Sequence, residues 1–231
     1  MEVILEQNTE PWKIERGGPK KIRIGSSDIC VVCGVDKYKK TYSLYDKIIA
    51  EIDGTWIYDD DDEEPPACKH GHLCEPIIAP MYENITGNTV QEANYWRHEN
   101  KSMAILYGCS PDRKVFINGE FQGLLEIKAP FNIMYQDIKL EHLCQVQYQM
   151  WITKKPWCDY MAVKLQHENP ELDQNPQILL KRIYYSTEFV EYWMKPRLFY
   201  FSKCLMTRTR PPNNLYKNDP DPPTVEMWNL L

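Results

Sequence analysis

An α/β fold, with strands at the centre and helices on either side, is predicted by three features of this sequence. Two apolar runs meet at Asn118-Gly119, a strong short-range hairpin signal. The stretch Asp137 to Thr153 repeats at helical period, with Leu140, Leu143, Val146, Met150 and Trp151 as its apolar stripe. Asp159 to Leu165 and Gln177 to Tyr185 then follow with strand character. Strands gathered between helices favour one α/β sandwich over two separate halves.

Taken in order, residues 26 to 35 and 41 to 52 read as helices around a turn at Asp36-Lys37, and 53 to 69 as a loop in which Trp56-Ile57-Tyr58 is the candidate ordered part. Pro76 opens a helix to residue 84, since proline suits a first helical turn. The Thr86-Gly87-Asn88 turn leads into strands Val90 to Glu99 and Ser102 to Tyr107. After the hairpin, the 137 to 153 helix and the two later strands, Thr187-Glu188 begins a last helix to about Met206, which Pro196 should kink or break. Its aromatic residues Phe189, Tyr192, Trp193, Tyr200 and Phe201 are expected in the core. From Pro211 onward, Pro211-Pro212 and Asp219-Pro220-Asp221-Pro222-Pro223 argue against helix or sheet and for an extended or disordered tail. The expected organisation is one domain over residues 1–210 and a Pro-rich C-terminal tail over 211–231. The tail ends on Val225 to Leu231, apolar enough to prefer a groove over water, on its own body, on a neighbouring subunit or on another protein.

Bulk properties bound this picture. A chain of 231 residues, 43% apolar and 12% aromatic, buries one sizeable core. No long apolar stretch or secretory leader is evident, so a soluble, intracellular protein with no membrane partner is expected. The net charge of −6 argues against a broad basic surface for nucleic acid. The acidic excess is local, however, in the run Asp59 to Glu64, which reads as a solvated loop. Basic residues gather at Arg16 to Arg23, Lys37 to Lys40 and Lys203 to Arg210, compatible with a positive channel that binds in a salt-dependent way. Cys30-Val31-Val32-Cys33 and the group Cys68, His70, His72 and Cys74 have metal-ligand spacing. The apolar setting of Cys30 and Cys33, within Ile29 to Gly34, instead favours cysteine as a small hydrophobe. An iron-sulfur cluster would need a tight C-terminal cysteine trio, and only Cys204 lies beyond Cys158. A disulfide framework is disfavoured in a long, leaderless chain.

The chemistry concentrates at Asp112 and at Leu124-Leu125-Glu126-Ile127-Lys128. On a strand, alternate side chains share a face, so Glu126 and Lys128 point one way while Leu125, Ile127 and Ala129 enter a core. Lys114 to Ile117 reads as the partner strand. A two-residue turn alone pairs position 112 with 125; a three-residue loop or one bulge pairs 112 with 126, and that loop or bulge is the prediction. Two converging carboxylates repel unless a cation lies between them, and hard oxygen ligands suit Mg²⁺, with Mn²⁺ as a substitute. Such a site would polarise a phosphoryl oxygen, with Lys128 orienting or deprotonating a water and offsetting charge on phosphorus. A Glu-x-Lys triplet alone is more often a set of solvated surface charges. Two more residues, in the right order, favour a site: Glu75, at the start of the Pro76 helix, as a third carboxylate, and Gln145, opposite the apolar stripe and in line with Glu141 and Gln149, as an uncharged amide to hold the attacking water.

The ordered set Trp12-x-x-x-Arg16, Ile24-Gly25-Ser26-Ser27-Asp28, Gly71-x-x-x-Glu75, Cys109-Ser110-Pro111-Asp112, Leu125-Glu126-Ile127-Lys128-Ala129-Pro130-Phe131 and Gln145 to Thr153 resembles the phage lambda exonuclease, or YqaJ-type viral recombinase, family. The resemblance implies a restriction-endonuclease-like fold of the PD-(D/E)XK group, a central mixed β-sheet flanked by helices, a divalent metal and digestion of duplex DNA from its 5′ ends. It implies that Asp112, Glu126 and the Ile127 carbonyl ligate metal, that Lys128 acts on the water, that Glu75 lies near a second metal and that Gln145 is the motif glutamine. Arg16 would grip the terminal 5′-phosphate with Ser27 as companion. Gly17-Gly18-Pro19-Lys20-Lys21 lengthens that segment relative to the family, so Lys20, Lys21 or Arg23 could substitute, although lysine lacks the bidentate fork of arginine. The resemblance further implies a single-strand annealing protein as partner, a ring-shaped homotrimer and a viral role in host cytoplasm or nucleus. An endonuclease or nickase of the same fold, and a non-catalytic DNA-binding or scaffold protein, are the alternatives; the second gives Asp112, Glu126 and Lys128 no chemical purpose.

Overall fold

The computed structural model describes residues 1–4, 9, 11, 22–55, 65–100, 105–165 and 175–231. Arg16, Lys20 and Lys21, the Trp56-Ile57-Tyr58 segment and the acidic run from Asp59 to Glu64 lie outside them.

The hairpin forms from β6 (Arg113–Ile117) and β7 (Glu120–Lys128). Asn118 and Gly119 both adopt positive φ, 52° and 81°, the double left-handed geometry that Asn-Gly accepts at least cost. Ile117 pairs with Glu120 and Phe116 with Phe121, but Val115 then pairs with Gly123, so Gln122 is an extra residue. This is the predicted bulge, and beyond it Arg113 faces Leu125.

Among the described residues four strands join this pair in a six-stranded sheet, and four others form a second, smaller one, according to the partner each finds. β8 (Trp157–Lys164) runs parallel to β7, and β9 (Gln177–Tyr184) is antiparallel to β8. A parallel pair needs a long crossover, supplied here by helix α4 (Leu140–Thr153). The segment expected as one strand, Val90 to Glu99, divides into β3 (Thr89–Glu92) and β4 (Tyr95–Asn100). β3 pairs with β6, whereas β4 lies between β1 (Glu2–Val3) and β5 (Ile105–Cys109) in a four-stranded sheet closed by β2 (Ile22–Gly25). An alternation of apolar residues carries no sign of a change of sheet, so the split was not readable locally. Both sheets are mixed, and the six-stranded one, of order β10-β9-β8-β7-β6-β3 with β10 at Met227–Asn229, is the expected central sheet.

The helices differ from expectation mainly in their ends. α1 is only Ile29–Val32, because Gly34 turns left-handed at φ 77° and the Asp36 carboxylate ties the amides of Tyr38 and Lys39 into the predicted turn. α2 spans Thr41–Asp53 and ends on left-handed Gly54. α3 spans Pro66–Thr86, so the first-turn proline is Pro66 and not Pro76, and Gly87 closes it as foreseen. Pro76 and Pro80 lie four residues apart on its exposed side, where water can satisfy the carbonyls they leave unbonded, while Cys74, Ile78 and Tyr82 bury the opposite side. The last helix begins as a π-helical stretch, Glu188–Met194, and becomes α5 (Lys195–Thr207) where Pro196 occupies its first turn.

Two cores lie on opposite faces of the six-stranded sheet. Leu124, Cys158, Tyr160, Ala162 and Ile183 pack with α4, α1 and the last helix. Leu125, Ile127, Val115, Met161, Val163 and Leu180 pack with α3. Cys30 and Cys33 are buried in the first core, as their apolar setting suggests. α4 is buried on nearly every side from Leu143 to Thr153, Gln147 and Gln149 included, so burial extends well beyond its apolar stripe. The C-terminal segment folds back on the chain itself: Arg197 bonds Asp219 at 2.8 Å, Val225 is buried, and β10 (Met227–Asn229) pairs antiparallel with β9 as an edge strand. The prolines stop at 223, so the amides after them are free to join a sheet, contrary to the expectation for the tail. Among the described residues no helix is long and apolar enough to cross a membrane.

Candidate active site

Strand alternation and the bulge together build the site. Glu126 lies on the Leu124 side of β7, 1% exposed, under α4; its neighbours Leu125 and Ile127 face α3. Asp112 precedes β6, directly after Pro111, and its Oδ2 accepts the Ile127 amide at 2.6 Å. Without the extra residue Gln122, the strand would present Leu125 at this point. Lys128, two residues past Glu126 and on the same face, donates its ammonium to Glu126 Oε1 and to Gln145 Oε1, the latter at 3.3 Å. From α4, Gln145 Nε2 donates to Glu126 Oε1 at 2.7 Å and Gln149 Nε2 to Oε2 at 2.8 Å. The fold therefore brings the Asp112, Glu126, Lys128 and Gln145 side chains and the Ile127 backbone together at one place.

Two of the expected residues stand otherwise. The Glu75 carboxylate is bonded by the Arg113 guanidinium, which also donates to the Asp112 carbonyl at 2.7 Å. It remains in electrostatic range of Asp112, so it borders the acid pair without joining it. Ser27 is exposed in the turn after β2 and makes no bond to the pair among the described residues. Arg16 cannot be placed, since it lies outside those residues.

Electrostatics mark the pair as short of positive charge. Burial, then the Glu126 charge, pushes the Asp112 carboxyl well above the usual carboxylate range; Lys128 and the Ile127 amide pull the other way without cancelling it. For Lys128, burial disfavours the ammonium, but Glu126 and Asp112 outweigh it and hold the pKa above its ordinary value. A site that leaves two carboxylates competing for one ammonium is an attractive place for a hard divalent cation. The donor set of Asp112, Glu126 and the nearby Ile127 carbonyl fits one in chemistry. The described residues hold no group of three or more His, Cys, Asp or Glu side chains of metal-site geometry, consistent with Glu75 being turned to Arg113.

Several groups at the site went unassigned in the sequence. Arg113 and Gln149 are the principal ones: the first adjoins Asp112 in sequence and the second follows Gln145 by one helical turn, which was the available signal. His142, one turn before Gln145, bonds the Tyr160 hydroxyl through Nδ1 at 2.6 Å. Burial, then the Lys128 and Lys139 charges, pulls its pKa down to about 3, so the ring is neutral at physiological pH.

Solved structures share this architecture. The alkaline exonuclease LHK-Exo from Laribacter hongkongensis superposes with a TM-score of 0.66 at 24% identity, over 87% of this chain and 94% of that one, and its complex with dAMP does so equally. A phage-related exonuclease from Haemophilus somnus 129PT superposes with a TM-score of 0.57 at 16% identity, over 81% and 94% of the two chains. No curated protein sequence matches. The fold is thus the restriction-endonuclease-like fold of phage-type exonucleases. More specifically, the family model of the YqaJ-like viral recombinase domain matches residues 14–156, and the chain belongs to that family.

Proposed function

We propose that this protein is a metal-dependent deoxyribonuclease that digests duplex DNA from its 5′ ends during viral recombination or replication. The observation that carries the reading is the convergence of Asp112, Glu126, Lys128 and Gln145 at one part-buried point, where Glu126, Lys128 and Gln145 bond one another and Asp112 bonds the adjoining Ile127 amide. Membership of the YqaJ-like viral recombinase family and the likeness to solved exonuclease structures support it.

Asp112, Glu126 and the Ile127 carbonyl would hold Mg²⁺ or Mn²⁺, with Glu75 available to a second ion if Arg113 releases it. The ion, when bound, would supply charge to polarise the scissile phosphate and acidify a water. Gln149 and the Ile127 amide keep the two carboxylates aimed at the same point. Gln145 accepts from Lys128 and donates to Glu126, so it can exchange one of these bonds for the attacking water without adding charge. Lys128 donates toward the phosphate as negative charge grows there. In-line attack would expel the 3′-oxygen and leave a 5′-phosphorylated mononucleotide. Arg16, with Ser27, is proposed to take the terminal 5′-phosphate. Duplex ends, an annealing protein and further copies of the chain, as a trimer, are the proposed partners.

End-labelled linear duplex and closed circular DNA, incubated with Mg²⁺ and with a chelator control, test the reading. Degradation of the linear form only, faster from 5′-phosphate than from 5′-hydroxyl ends and abolished by chelation or by Lys128→Ala, is expected. Rapid loss of the circle would replace the exonuclease with an endonuclease or nickase, and binding without cleavage would leave a non-catalytic DNA-binding protein.

A further inference from the structure

The loop between β7 and α4 flanks the site with polar groups that the roles above leave unused. It is tied down at two points: the Lys164 ammonium donates to the Asn132 carbonyl, and Lys181 bonds Asp137 Oδ1 at 2.8 Å while the same oxygen accepts the Ile138 amide at 2.7 Å. Between these ties stands Tyr135, half-buried, with its ring 5.3 Å from that of His142. The Lys139 ammonium lies 4.1 Å from the centre of the Tyr135 ring. His142 is itself fixed by Tyr160, so the aromatic stack has a rigid back. The Tyr135 hydroxyl is in electrostatic range of the Lys128 ammonium, yet it makes no hydrogen bond among the described residues.

Resting on the nuclease reading, we propose that Tyr135 and Lys139 form a phosphate grip, holding a backbone phosphate of the strand being cut next to the one that reacts. A phenol donates one directed hydrogen bond, and an ammonium seated on its ring adds charge in a fixed place. Together they suit a phosphate diester, which offers anionic oxygens on both sides of its phosphorus. Because the loop is tethered and the ring is wedged against His142, little order remains to be imposed on binding. Glu141 is in electrostatic range of the phenol and opposes an anion, but Lys139 and Lys128 flank the same point with two positive charges. Asp137 is already engaged by Lys181. The grip would fix the strand's register, so that the reacting phosphate meets the acid pair in line.

The test uses the full chain and three variants, Tyr135→Phe, Lys139→Ala and Lys139→Arg. Duplex affinity is measured in chelator across a salt series, and single-turnover cleavage in Mg²⁺. Lys139→Ala should weaken binding about fivefold or more and flatten the dependence of log affinity on log salt by about one unit, while Lys139→Arg keeps the slope. Tyr135→Phe should slow single-turnover cleavage about tenfold, the scale of one lost hydrogen bond to a charged group, with an unchanged melting temperature. An unchanged salt slope in Lys139→Ala together with cleavage within about twofold in Tyr135→Phe would overturn the grip. Wild-type protein that binds duplex but never cuts it would defeat the nuclease reading alone, leaving the Lys139→Ala slope to decide the grip; protein that neither binds nor cuts would defeat both.

Discussion

Two carboxylates on neighbouring strands show how differently one sheet can treat a buried charge. Asp159 on β8 faces α3 and is fully enclosed, but Arg182 from β9 meets both its oxygens at 2.7 and 2.9 Å, and the Tyr82 hydroxyl adds a bond at 2.6 Å. The guanidinium is stacked in turn on Trp157, 3.7 Å from the ring centre. Glu126 on β7 faces the other way and shares one ammonium with Asp112. The first arrangement compensates a charge with a geometry that needs nothing more, and it ties α3, β8 and β9 together. The second leaves a surplus of negative charge that the fold alone does not relieve, and it is the second that carries the motif residues. Buried charge that is satisfied acts as scaffold; buried charge that is not marks the place where a ligand is expected.

Substituting Arg182 probes the scaffold side most strongly. Arg182→Ala should cost about 3–5 kcal/mol, since it leaves the Asp159 carboxylate enclosed without its partner. A urea midpoint within experimental error of wild type would show that the two acids are treated alike after all. A smaller effect comes from His142, whose ring is surrounded by Tyr160 on β8, Tyr135 and Lys139 on the loop, and Lys128 on β7. Its folded pKa, about 3, is depressed below the ordinary 6.5. Below pH ~6.5 the unfolded chain therefore takes up a proton that the folded chain refuses, and this group's contribution to stability is lost progressively as pH falls toward the folded value, by at most about 1.4 kcal/mol per pH unit. Denaturant titrations at pH 7.5 and 5 should show a larger loss for wild type than for His142→Gln, which can keep the bond to Tyr160; equal losses would exclude the histidine as the cause. The smallest expected change is the most telling. Asp112→Asn removes one of two competing charges while retaining an oxygen for the Ile127 amide, so it should abolish cleavage yet raise stability by roughly 1 kcal/mol, as relief at a functional site often does. Destabilisation instead would mean that the acid pair is structural, like Asp159.

The hairpin illustrates what could be read in advance. Asn118-Gly119 dictated the turn, and the need to seat Asp112 beside Glu126 required an extra residue, found at Gln122. Gly123, next to it, is obligatory for a reason that no local pattern contains: a Cβ there would lie 2.3 Å from the Trp157 ring, which comes from the strand on the other side. The start of α3 was misplaced because Pro76 is locally a helix opener, and only the burial of Cys74, Ile78 and Tyr82 against the sheet outweighs the loss of its hydrogen bond. Glu75 was legible as a carboxylate near the site but not as the partner of Arg113, and the C-terminal strand was hidden behind five prolines that end just before it.

What the sequence determined by itself is the set of properties that depend on near neighbours: the alternation that puts Glu126 and Lys128 on one face, the turn that folds the hairpin, and the helical period that aims Gln145 away from the apolar stripe. The tertiary structure alone decided which strands share a sheet, which carboxylate is neutralised and which is left wanting, and where the chain's last residues lie. These outcomes are set by contacts between residues far apart in the chain, where packing and desolvation outweigh local preference.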